Sequence, residues 1–128
     1  MLIRVLSALL GAFNLANGLF AVLLPRTWFI QAPGAADTGP FNPHFVTDIG
    51  LGFTAAGIAF LAFAWRPRYR LLALGASGFV VLHALFHLTN LVSDHHAYAG
   101  VDLWITLLAF AGLALCWPRH GSAQEAQA

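Results

Sequence analysis

FVTDIGLGFTAAGIAFLAFAW, residues 45–65, decides the fold. The stretch carries a single ionisable residue, Asp48, and as a helix rising about 1.5 Å per residue it crosses the roughly 30 Å hydrocarbon core of a bilayer. It shows no period-two alternation, so a half-buried strand is excluded. Outward from it, three more stretches read the same way: Leu2 to Leu24, Leu71 to Val92, and the shortest, Val101 to Trp117. Pro25, Pro67 and Pro118 close the first, second and fourth, because proline cannot donate the backbone hydrogen bond that continues a helix. Asn42-Pro43-His44 leads into the second. The expected fold is all-α, a bundle of four transmembrane helices.

Composition supports this. Of the 128 residues 59% are hydrophobic and 9% charged, and there is no lysine. A water-soluble domain carries about a quarter charged residues, so the solvent for most of this surface is lipid. A net charge of +1 offers no electrostatic basis for nucleic-acid binding. The one cysteine, Cys116, has no partner for an intramolecular disulfide and reads as a small packing residue. Residues 1–120 form one transmembrane domain, and the small, polar residues 121–128 a flexible C-terminal tail. Span one resembles a signal peptide in having Arg4 before an apolar run, but it is too long for one and lacks an Ala-x-Ala site, so it reads as a retained helix.

Arginine placement predicts the topology. Arg66, Arg68 and Arg70 crowd the connection between spans two and three, Arg4 opens span one and Arg119 follows span four. The positive-inside rule puts these five, and both termini, in the cytoplasm. Trp28, Trp65, Trp104 and Trp117 fall at the expected interfaces. The first outer loop keeps Trp28, Phe29, Ile30 and Phe41 among its prolines and glycines, which predicts that it folds back onto the bundle mouth.

The polar residues gather at the outer end. His44 and Asp48 are four apart on span two and share a face. His83, His87, Asn90 and Asp94 make one stripe on span three, and a His-x-x-x-His pair on a helix aims two imidazoles at one point. Asn14 and Asn17 occupy the outer half of span one among small residues, where interhelical hydrogen bonds are expected. Asp102 and Thr106 form an i, i+4 pair at the outer end of span four, where Asp102 also suits a helix N-terminus. His95 and His96 lie in the outer loop beside Asp94. Gly50, Gly52 and Gly57, with Gly75 and Gly78, read as close helix packing within the bundle or between protomers.

TGPFNPHFVTDIG (38–50) together with HALFHL (83–88) resembles a group of small bacterial four-helix membrane proteins without an assigned activity. In that group arginine more often stands where this chain has Thr47. The resemblance implies the membrane topology, a multi-pass place in the bacterial inner membrane, and importance for His44, Asp48, His83 and His87. It implies no reaction.

Three functions follow as expectations. In the first, His44, Asp48, His83 and His87 ligate a transition metal, Zn, Fe or Cu, a donor set too rich in nitrogen for Ca or Mg. Asn14, Asn17, Asn90, Asp94, His95, His96 and Asp102 complete the polar cluster, with Asn90, Asp94 and Asp102 orienting the imidazoles. No nucleophile stands out beyond these residues, so binding is favoured over catalysis. In the second, His44 pairs with His83 or His87 around haem b, or the histidines flank a quinone. In the third, the chain is an accessory subunit of a larger membrane complex, or a homo-oligomer, and its polar residues set helix register.

Overall fold

The structure, a computed structural model, describes residues 1–92 and 96–118. Five α-helices account for most of them: α1 (Leu2–Leu23), α2 (Pro25–Gln31), α3 (Pro43–Trp65), α4 (Arg70–Val92) and α5 (Ala99–Cys116). No strand occurs among the described residues. Four of the helices are long and apolar enough to cross a membrane. The chain is thus a multi-pass, all-helical membrane protein, with α2 as an added short element. Asp94, His95 and the tail 121–128 lie outside the described residues, as do the side chains of Asn90 and His96.

The ends of the spans have local causes. Pro25 breaks α1 at Leu24 (φ −133°, ψ 58°) and then serves as the first residue of α2, the one helical position where a missing N–H costs nothing. The short helix was not foreseen for that reason: proline was read only as a stop. At α3, the Asn42 side chain accepts from the backbone N–H groups of His44 (3.1 Å) and Phe45 (3.2 Å), with Pro43 at the first position. That cap starts the helix two residues before the membrane-spanning stretch read from the sequence. At the far end of α3 the Arg4 guanidinium donates to the carbonyls of Ala64 (2.8 Å) and Trp65 (2.9 Å). A cation there satisfies acceptors that have no partner within the helix and opposes the negative end of its dipole.

Helices α1 and α3 meet at their backbones. A Cβ added to Gly57 would lie 2.4 Å from the Leu15 nitrogen, and one on Gly18 would lie 2.4 Å from the Thr54 nitrogen. Gly11 and Gly50 are crowded in the same way, by Leu61 and by Ala21 and Val22. Only glycine permits this approach, and in lipid such close packing is what holds helices together. A second cluster joins α3 to α4 and α5 through Ala56, Phe60, Phe63, Ala73, Val80, Ala84, Ala109 and Cys116, all buried. The fully buried Cys116 is a packing residue. By contrast, Cβ atoms added to Gly75 and Gly78 on α4 would meet nothing within 4 Å.

Candidate functional site

Above that second cluster the α1–α3 pair and the α4–α5 pair part, and the space between them is a cavity of about 570 Å³. Phe60, Val80 and Ala109 form its floor, shared with the core cluster. Residues of α2 and of the following loop, including Trp28, Phe29 and Gly34, line the other end. The loop therefore folds back onto the bundle mouth, as its apolar content predicts.

Two contacts hold that cover. The Trp28 indole N–H donates to Asn17 Oδ1 at 2.9 Å, tying α2 back to α1. Tyr98, just before α5, packs against Gly34, where φ is +80° and a Cβ would come within 3.2 Å of the Tyr98 ring. The Tyr98 hydroxyl also hydrogen-bonds Asp37, and this bond, with the nearby carboxylate charge, raises the phenol above its ordinary value of 10.0.

One wall of the cavity holds a chain of three ionisable side chains. His87 Nδ1 lies 2.7 Å from Asp102 Oδ1, and His87 Nε2 lies 3.1 Å from His83 Nε2. Asp102 is only 2% exposed, and its second oxygen, Oδ2, is buried with no hydrogen-bond partner among the described residues. The His83 ring meets Phe53 edge-on at 5.1 Å and stacks near Phe79 at 6.1 Å. All three members of the chain line the cavity. Helix periodicity stacks His83 and His87 on α4. Asp102, fourth in α5, comes from the neighbouring helix and makes no side-chain cap there. Thr106 back-bonds to the Asp102 carbonyl (2.8 Å) and leaves the Asp102 carboxylate alone.

The other expected site residues lie elsewhere. His44 and Asp48 pair with each other (3.4 Å) on an outer face of α3, where their side chains are 88% and 57% exposed. Helical phase explains this. Val46, Gly50, Phe53, Gly57 and Phe60 are the buried face of α3, and positions 44 and 48 share the outward face with Leu51 and Ile58. The four expected metal ligands thus form two pairs. Among the described residues no group of three or more His, Cys, Asp or Glu side chains is placed to hold a metal ion. Asn14 lines the cavity, but its amide donates to Leu10 O in its own helix (2.8 Å) and not across helices. Asn17 does bond outside its helix, to Trp28, a partner not foreseen because the tryptophan was assigned to the membrane interface.

No family model, curated protein or solved structure matches this chain. The class is therefore defined by fold and site alone: a four-span membrane protein with a covered cavity at one end and an Asp–His–His chain in its wall.

Proposed function

We propose that the cavity binds a lipophilic molecule drawn from the bilayer, with its polar head at the His83–His87–Asp102 chain and a quinone-type ring as the fitting class. The observation that carries this reading is the chain of two hydrogen bonds set in a mostly apolar, aromatic-lined cavity. Pockets for small ligands have this make-up, mostly apolar with a few convergent polar groups. Phe13, Phe45 and Phe86 line the cavity yet remain 58%, 60% and 64% exposed, which supports a sideways opening toward lipid. By the positive-inside rule the arginine-rich α3–α4 connection is cytoplasmic, so the cavity faces the outer side of a bacterial inner membrane. Asp102 orients His87, and the linked imidazoles can pass a proton between the ligand head and the buried carboxylate. The test is organic extraction of the detergent-purified chain followed by mass spectrometry, beside a His83→Phe variant. A lipophile enriched with the wild type and lost from the folded variant supports the site; identical extracts refute it.

A second reading, a transition metal at His83 and His87, is favoured by one feature: a carboxylate bound to the far nitrogen of a histidine is the usual support of a metal-ligating imidazole. His87 would exchange its bond to His83 for the ion. Elemental analysis of wild type and the His83→Ala/His87→Ala variant tests it, with stoichiometric metal in the first and none in the second as the expected result.

A further inference from the structure

The direction of the hydrogen bonds in the chain says what kind of head the cavity takes. A carboxylate only accepts, so His87 Nδ1, 2.7 Å from Asp102 Oδ1, carries the proton. In a neutral imidazole Nε2 is then an acceptor, and His83 Nε2, 3.1 Å away, must donate to it. That leaves His83 Nδ1 unprotonated, and it has no partner among the described residues. Every donor in the chain points toward Asp102, and the free nitrogen at its His83 end, on a residue that lines the cavity, is an acceptor.

An acceptor end calls for a ligand that brings a hydrogen. The surroundings narrow the choice. Phe53 and Phe79 flank His83, and Phe13, Phe29 and Phe86 line the cavity, a setting for a flat aromatic ring. An ammonium group would need an unshared carboxylate. Asp102 shares its charge with His87 through one oxygen, and the other, though unpartnered among the described residues, is buried, so the carboxylate is not open to a ligand's ammonium. A neutral hydroxyl on an aromatic ring needs no counter-charge.

We infer that the cavity selects a lipophilic phenol or hydroquinone over the corresponding quinone, its hydroxyl donating to His83 Nδ1. This rests on the reading of the cavity as a lipophile site. Asp102 acts as a positioning residue, holding both imidazoles in the tautomers that leave the acceptor at the free end. Proton movement through the chain balances within it: the hydroxyl proton goes to His83 Nδ1, the His83 Nε2 proton goes to His87 Nε2, and the resulting imidazolium lies against Asp102.

The experiment is anaerobic calorimetric titration of the full chain in detergent at about pH 8, where ordinary imidazoles are neutral. The probes are a decyl-substituted benzohydroquinone, its benzoquinone, and the dimethyl ether of the hydroquinone. The hydroquinone is expected to bind about tenfold tighter than the other two, the scale of one net hydrogen bond. Asp102→Asn presents an amide that can donate to His87 and reverse the chain. The preference should then fall below about threefold or invert, with affinity for the ether unchanged. His83→Phe, which keeps a flat ring, provides the same comparison if Asp102→Asn does not fold. Equal binding of all three probes overturns the donor selection and leaves the lipophile site standing. Tighter binding of the quinone, or displacement of the hydroquinone by decylammonium, overturns it as well. Binding of none overturns both the selection and the site.

Discussion

The two helix pairs of this molecule are held in opposite ways. Helices α1 and α3 touch backbone to backbone through Gly11, Gly18, Gly50 and Gly57, with no room for one added carbon. Between α4 and α5, at the cavity end, the joining contact is polar, a 2.7 Å bond between His87 and Asp102 in the cavity wall. The first pair uses its smallest residues to exclude space. The second uses charged and aromatic ones to border it. In lipid, where apolar burial supplies little drive between helices, these are the two means available, and only the second leaves chemistry accessible.

Substitutions at glycine should break this contrast first. Gly57→Ala places a carbon 2.4 Å from the Leu15 backbone nitrogen, which cannot yield as a flexible side chain would. A loss of about 3 kcal/mol or more is expected in detergent unfolding titrations. Gly78→Ala meets nothing within 4 Å and should shift stability by less than about 1 kcal/mol. A large loss at Gly78 would instead mean that a second chain covers that face.

The polar pair should respond asymmetrically. His87→Ala leaves a buried carboxylate without its partner and should cost about 3 kcal/mol. Asp102→Ala leaves an imidazole that can stay neutral, and about 1 kcal/mol is expected. The double variant should be more stable than His87→Ala alone; additive losses in the same titration would mean that the two side chains do not act as a pair.

Smaller effects sharpen the picture at the cover and the outer face. Trp28→Phe keeps a ring but removes the bond to Asn17. It should cost about 1 kcal/mol, seen as faster hydrogen exchange over residues 25–40 with the spans unchanged. Smallest of all, His44→Gln or Asp48→Asn removes an exposed pair and should change stability by about 0.5 kcal/mol or less. A loss comparable to that at His87 would show that this outer face has a partner of its own.

The spans were legible from sequence because length and hydropathy suffice to locate a membrane helix, and their ends fall within about two residues of expectation. Which residues meet was far less legible. In water the polar face of a helix reveals its rotation, but in lipid the inward and outward faces are both apolar and the signal vanishes. Depth was therefore readable and rotation was not. His44 and Asp48 lie in the first two turns of α3, at the same end of the bundle as the cavity, yet their pairing with His83 and His87 assumed a shared facing that the glycine face of α3 denies. Asp102 stands among the residues expected to orient the imidazoles, but its contact with His87 spans two helices and no periodicity singles it out. The alternative role for Asp102, as a helix-start residue, was equally consistent with its position. The folding-back of the first loop was legible because apolar side chains in a loop need cover.

Arg4 carries a consequence for how the protein is built. Its hydrogen-bond partners, the carbonyls of Ala64 and Trp65, lie about sixty residues downstream. During synthesis α1 emerges before α3, and the Arg4 guanidinium must remain in water or among lipid headgroups until the end of α3 exists to receive it. The residue that anchors the first span to one membrane surface is thus also the latch that closes on the next span, so insertion and assembly share a single side chain in sequence.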